Sequence, residues 1–251
     1  MSSPTVAHIP RQLPLRIHIA TLFITLILIL GGAVIWNDHI GTTRLMLQAE
    51  DERFERIADR TSQYLHNLFT PVVITVELLG WQKLVQATSL EERLTSLPYL
   101  RKALEQAPHL SALFIGYDDG DFFLLRPLPD DSPLRQTLNT PESARYLVQS
   151  MERDAPGAAT GTYLFYDAQL NVLHRELRPD YQFDPRQRPW YQMALGQVER
   201  TYTESYLFFT THEVGATLAQ RTAAGTSVVG ADLTLRQIST VLATSRFLPS
   251  A

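Results

Sequence analysis

The segment Phe183-Asp184-Pro185-Arg186-Gln187-Arg188-Pro189-Trp190-Tyr191 and the later run Val228-Val229-Gly230-Ala231-Asp232-Leu233 hold the side chains best suited to binding chemistry in this sequence. Arg188 offers a planar fork of donors that matches a carboxylate bidentately, and it stays charged at any relevant pH. Trp190 and Tyr191 supply apolar wall with polar handles, the mix found in small-ligand pockets. Asp232, on a late strand, can accept hydrogen bonds from an ammonium group. Each residue also has a plainer use. Arg188 could pair with Asp184 or Glu204 and so pin the loop. Trp190 and Tyr191 are adjacent at a helix start and cannot share one face, so one of them belongs to the core. Asp232 could hold a turn or loop backbone.

Catalytic and metal chemistry finds less support. The seven histidines (His8, His18, His39, His66, His109, His174, His212) never fall at the i,i+3 or i,i+4 spacing of a helical metal site. The sequence has no G-x-S-x-G elbow, P-loop or Gly-rich dinucleotide fingerprint. Asp118-Asp119-x-Asp121 is acidic enough to suggest Ca²⁺, yet it lacks the length and distal glutamate of an EF-hand and reads as a hairpin turn. Scattered carboxylates single out no glycosidase pair. The absence of cysteine removes disulfides, thiolate chemistry and Cys-ligated metals. No cofactor and no metal are expected. Among 251 residues, 26 acidic and 22 basic side chains leave a net charge of −4, too acidic for a nucleic-acid partner.

Positioning such residues takes a folded core, and 45% hydrophobic with 10% aromatic residues can build one. Apolar residues Phe54, Ile57, Ala58, Thr61, Leu65, Leu68 and Val72 recur at three- and four-residue steps, which predicts a long helix over 38–69 with one buried stripe. Pro71 is expected to kink it before Val72–Leu79 restart the helix. A second helix is expected from Ser89 to Gln106, capped by Ser89. Beyond Pro108 the period becomes that of strands. Leu110–Tyr117 and Asp121–Arg126 flank the hairpin signal Asp118-Asp119-Gly120. Pro127–Pro141 reads as a loop excursion, and Gly161–Tyr166 with Val172–Leu177 as a further hairpin. A short helix over Arg188–Leu195 precedes strands at Thr201–Phe209, Val214–Arg221 and Ser227–Leu233. A last helix begins near Thr234. Helices followed by antiparallel strands make the class α+β.

From Ile17 to Trp36 the chain carries no Asp, Glu, Lys or Arg over a length that spans a bilayer core. This exceeds the apolar core of a signal peptide, and no small-x-small cleavage site follows, so an uncleaved signal anchor is expected. Arg11 and Arg16 precede it without an acid, whereas six acids and four arginines follow within residues 37–60. The amino terminus is therefore placed in the cytoplasm, with the rest of the chain outside the inner membrane.

The anchor, the long helix, the strand-rich module, the segment ending in Arg188-Pro189-Trp190-Tyr191 and the Gly230-Ala231-Asp232-Leu233 strand together resemble a double Cache (dCache) sensor domain of a bacterial transmembrane receptor. The resemblance covers residues 17–251 in order of elements. It implies a cytoplasmic tail over 1–16, an anchor over 17–36, a stalk helix over 37–80, a membrane-distal PAS-like module over 81–233, and a connecting helix over 234–251 towards a membrane-proximal module that would follow. It also implies a binding set. Arg188, Trp190, Tyr191, Tyr206 and Asp232 match the pattern by which amino-acid-sensing members hold an α-carboxylate and α-amine. Phe183 stands where that pattern has tyrosine, and Phe208 where it has aspartate. Losing an acidic acceptor weakens amine binding, so a carboxylate-bearing solute, an organic acid or an amino-acid derivative, is the expected ligand. The resemblance makes the chain a receptor's input domain, with any catalytic output outside it. A homodimer through the stalk helix is expected. The competing readings are a membrane-anchored interaction protein with a vestigial pocket and, further off, an anchored periplasmic hydrolase.

Overall fold

The computed structural model describes residues 15–155, 158–197, 199–237 and 239. The first helix, α1, runs Leu15–Leu79 with Pro71 inside it, so the helix continues through the proline. The chain divides into two compact units, Met1–Thr61 and Ser62–Ala251. In the first, Ile19–Trp36 is long and apolar enough to cross a membrane, and its side chains are exposed throughout. Of the apolar stripe expected farther along α1, Ala58 is exposed; Phe54, Ile57, Thr61, Leu65 and Leu68 lie outside the described side chains.

In the second unit the end of α1 buries Val72, Val76 and Leu79 completely. Two helices follow where one was expected, α2 at Leu90–Leu94 and α3 at Leu97–Gln106. Ser89 caps α2, its side chain accepting from the Glu92 N–H. The break has a cause: Pro98 has no N–H to donate to the preceding turn and is tolerated only in the first turn of a new helix.

The strands are β1 (Ala112–Tyr117), β2 (Phe122–Pro127), β3 (Tyr146–Ala155), β4 (Ala158–Tyr166) and β5 (Val172–Arg178), then, after the helical pieces described next, β6 (Thr201–Tyr202), β7 (Tyr206–Leu207), β8 (Val214–Arg221) and β9 (Ser227–Thr234). The excursion after β2 carries the short helix α4 (Leu134–Thr137), and α5 (Pro189–Leu195) follows β5. Among the described residues these form one antiparallel sheet in the order β5-β4-β3-β2-β1-β9-β8-β6, with β7 also on β8. The α+β class is as expected. Strand β3 was not expected: its Gln149, Ser150, Glu152 and Arg153 interrupt any apolar run. The single strand expected over Thr201–Phe209 is two short ones.

Both faces of the central strands are covered, which is why β1 and β9 are buried along their whole length. One face carries Leu113, Ile115, Phe123, Leu125, Val148, Val229 and Ala231 and packs against the end of α1, α2 and α3. The other carries Phe114, Phe122, Leu124, Leu147, Tyr163 and Phe165 and is covered by Tyr181, Phe183, Trp190 and Tyr191. Edge strand β5 is largely exposed. At the end of β9, Thr234 and Gln237 form a reciprocal capping box, with the Thr234 hydroxyl accepting from the Gln237 N–H at 3.2 Å and Gln237 Oε1 accepting from the Thr234 N–H at 3.2 Å. The helix this starts lies, beyond Gln237, almost wholly outside the described residues.

Candidate functional site

The two-residue period of a strand puts Phe122, Leu124 and Arg126 of β2 on one face of the sheet. Register places Phe114 opposite both Leu124 and Gly230, and Asp232 opposite both Ala112 and Thr217. This face is the floor of a small cavity. Its roof comes from the segment leading into α5 and from the turn after β7.

Proline and ion pairs shape the roof. Asp184 caps a 3₁₀ turn over Pro185–Gln187, accepting from the Arg186 N–H at 2.9 Å, and its carboxylate also receives the Arg186 guanidinium at 2.9 Å. The Arg186 hydrogen bond holds the Asp184 carboxyl below the usual carboxylate range. Arg153 of β3 donates to the Phe183 carbonyl at 2.9 Å and also to the Gly120 carbonyl, tying the segment to the β1–β2 hairpin. Pro189 then opens α5. Two glycines allow aromatic rings to lie close to the strands. A Cβ on Gly116 would sit 2.7 Å from Pro185 and 2.8 Å from Trp190, and one on Gly215 would sit 2.4 Å from the Phe208 ring.

The cavity is lined by Phe114, Phe122, Leu124, Arg126, Tyr181, Phe183, Arg188, Trp190, Tyr206, Phe208, Phe209, Thr210 and Asp232, and holds about 30 Å³. That is room for about one water molecule. Six of the seven residues singled out in the sequence converge here: Arg188, Trp190, Tyr206, Asp232, Phe183 and Phe208. Tyr191, expected to form part of the binding wall, does not line it. It is buried, packed edge-on against Trp190 at 5.5 Å between ring centres, because neighbours at a helix start face different ways.

Arg188 does not pair with Asp184, whose partners are Arg186 and, at 3.9 Å, Arg153. Its guanidinium lies over the rings of Phe183 and Phe209, 5.7 and 5.5 Å from their centres. No carboxylate among the described residues comes within ion-pair distance of it. Asp232 accepts the Thr217 hydroxyl at 2.5 Å, and the Thr217 hydroxyl is in turn 2.7 Å from the Tyr206 hydroxyl. Burial raises the Asp232 carboxyl to about 6, against the opposing effects of Thr217, Arg126 and Arg188. Burial, then the neighbouring Asp232, pushes the Tyr206 hydroxyl well above its ordinary value.

Sequence reasoning missed Arg126. It is 5% exposed, and its Nε has no hydrogen-bond partner. Burial lowers its affinity for its proton, against the favourable field of Asp232. Phe114, Phe122, Tyr181, Phe209 and Thr210 were missed too. Nothing in their local sequence separates pocket aromatics from core aromatics. The arrangement is an aromatic-walled pocket with two guanidinium groups and one carboxyl directed into it. Guanidinium groups in such walls can pair with an anionic group, and the carboxyl can take a hydrogen bond or give one.

No family model matches the chain. Adenylate cyclase 1 of Rhizobium meliloti (strain 1021) is 32% identical over 148 residues, 59% of this chain and 22% of that protein. The chain thus spans less than a quarter of the curated relative it matches. Among solved structures it is similar to the ligand-binding domain of the Pseudomonas aeruginosa PAO1 amino acid chemoreceptor PctB with L-Gln, at 21% identity over 75% of this chain and 57% of that one, TM-score 0.44. It is similar to that of the Campylobacter jejuni chemoreceptor Tlp3 with L-valine, at 13% identity over 76% and 61%, TM-score 0.46. The Pseudomonas fluorescens chemoreceptor CtaA with L-alanine gives 19% identity over 77% and 64%, TM-score 0.43. These three structures are ligand-binding domains of chemoreceptors, and the curated relative is an adenylate cyclase.

Proposed function

We propose that this chain is the extracytoplasmic sensing part of a membrane-bound signal-transduction receptor, and that its pocket binds a small carboxylate-bearing solute, an organic acid or an amino-acid derivative. The observation that carries this reading is the Arg188 guanidinium, in no ion pair with a carboxylate among the described residues and lying over the rings of Phe183 and Phe209 beside the cavity. A cation so placed is oriented for an incoming carboxylate rather than for holding the fold together. Asp232 and Tyr206 would receive the ligand's amine or hydroxyl. Phe208, in place of a second acid, makes a cationic group on the ligand optional.

The apolar helix Ile19–Trp36 supports a membrane anchor, and Arg11 and Arg16 favour an amino terminus on the cytoplasmic side. The match to part of an adenylate cyclase supports a signalling context; the cyclase activity belongs to that protein. At about 30 Å³ the cavity is smaller than an organic acid, so binding requires its aromatic walls to move apart. A ligand that contacts the open and closed pockets differently would bias a two-state shift, passed on to α1. Dimerisation through the stalk belongs to the same proposal.

The test is a thermal-shift screen of the full chain in detergent against organic acids, amino acids and amines. A ligand at ~100 times its dissociation constant adds ~2.7 kcal/mol, a readily measured rise in melting temperature. Stabilisation by carboxylates that disappears in Arg188→Ala is the expected result. A folded protein indifferent to the whole panel would favour the anchored interaction protein instead.

A further inference from the structure

Arg126 is a buried cation in no ion pair with a carboxylate among the described residues. It sits on the central strand β2, opposite Leu147, among Phe114, Phe122 and Leu124. Its Nε is buried with no hydrogen-bond partner, and no carboxylate among the described residues forms an ion pair with it. Arg93, also buried, has unpartnered guanidinium nitrogens too, but it is held by an ion pair with Asp121 at 2.6 Å and lies over the Tyr117 ring at 4.5 Å. A guanidinium left in an apolar wall without such partners carries a large desolvation cost, and the natural relief is an anion from outside.

Position sharpens this. Arg126 lines the small pocket with Arg188 and Asp232, and it also lines a neighbouring cleft of about 390 Å³. In that cleft Arg145 is engaged by Asp130 at 2.8 Å and Arg236 by Glu213 at 2.9 Å. The pocket therefore presents two guanidinium groups, Arg188 from the roof and Arg126 from the floor, neither in an ion pair with a carboxylate among the described residues, and Arg126 stands where the pocket meets the larger cleft.

We propose that Arg126 is a specificity-determining residue that selects ligands with a second anionic group, so that the preferred solute is a short-chain dicarboxylate held by Arg188 at one end and Arg126 at the other. This rests on the carboxylate-binding reading above and narrows it. Both a plain dicarboxylic acid and an acidic amino acid have this chemistry. With the plain acid, Asp232 is protonated and donates to the ligand or to Thr217. With the amino acid, Asp232 is ionised and accepts from the ammonium.

The experiment is isothermal titration of the full chain in detergent with succinate, glutarate and L-glutamate, each beside its size-matched amide, succinamate, glutaramate and L-glutamine. The diacids are expected to bind roughly tenfold or more tighter than the amides, the range for one charge-assisted pair. Arg126→Gln should bring that ratio to about one while amide binding survives, and Arg126→Lys should restore part of it. Tighter binding of L-glutamate than of glutarate identifies an ammonium at Asp232, the reverse identifies the plain acid, and both outcomes support the assignment. Amides that bind wild type as well as the diacids do would overturn it and leave the carboxylate reading standing. So would a ratio unchanged in Arg126→Gln. If no acid or amide binds at all, the carboxylate reading fails, and this inference with it. Should Arg126→Gln not fold, equal binding of diacid and amide by wild type still overturns the assignment, and a diacid preference that is reduced in Arg126→Lys supports it.

Discussion

Thr217 on β8 faces Asp232 on β9 directly across the sheet, and the Thr217 hydroxyl meets one oxygen of the Asp232 carboxylate at 2.5 Å. Threonine has a single hydroxyl hydrogen, so once it is given to Asp232 the Tyr206 hydroxyl, 2.7 Å away, must donate to Thr217. The chain thus runs one way, from Tyr206 through Thr217 to Asp232. A proton on Asp232 could reverse it. The pocket can in this way present either an acceptor or a donor to a ligand, depending on how Asp232 titrates.

Replacing Asp232 by asparagine should stabilise the ligand-free protein at neutral pH. The carboxyl is raised to about 6 by burial, so the folded state holds the proton more tightly than the unfolded one. Stability must then fall as pH rises from about 4 to about 6 and level off above that. Asp232→Asn removes this loss, a gain of about 2–3 kcal/mol at pH 7 that shrinks towards zero below about pH 4. Urea melts at both pH values check it. A variant less stable than wild type at pH 7 would show that the carboxylate is better satisfied than its surroundings indicate.

The Arg93–Asp121 pair, by contrast, holds the fold. Arg93 is 1% exposed, and Asp121 also accepts the Arg153 N–H at 2.8 Å through its other oxygen. Arg93→Ala leaves that carboxylate buried without its counter-charge. Chemical denaturation should show a loss of about 3–5 kcal/mol. A loss below ~1 kcal/mol would mean that water replaces the guanidinium without cost.

At Gly116 any side chain meets Pro185 and Trp190 below van der Waals distance. Gly116→Ala is expected to cost about 1–3 kcal/mol through overpacking and to shift Trp190 fluorescence. Because the displaced residues carry Arg188, ligand affinity should fall as well. An unchanged emission spectrum with wild-type stability would contradict the close packing of roof on floor.

How much of this was legible in the sequence depended on whether a signal was local. The segment from Phe183 to Tyr191 carries prolines, charges and aromatics in a fixed order, and Phe183, Arg188 and Trp190 of the pocket could be named from it. The hairpin at Asp118-Asp119-Gly120 and the Ser89 cap are equally local. Arg126 closes the apolar run Phe122–Leu125 and reads as a strand end; only the pairing of β2 with β1 and β3 shows it to be buried. Strand β3 escaped notice for a related reason. Its Gln149 and Ser150 are fully buried, so polarity there marks an interior polar layer and not a loop. The split of the second helix turned on Pro98 alone, which the apolar spacing of its neighbours concealed.

Carboxylate binding in this pocket turns on Arg188, and a titration of wild type against a variant measures its part. The dissociation constant of the best carboxylate ligand is to be measured for the full chain and for Arg188→Ala, with the unfolding midpoint of each recorded without ligand. Arg188 makes no ion pair among the described residues, so the midpoints should nearly coincide, while affinity falls roughly tenfold to a hundredfold with the loss of a charge-assisted bidentate contact. An Arg188→Ala protein that is equally stable and binds the carboxylate as tightly as wild type would contradict the assignment of this pocket.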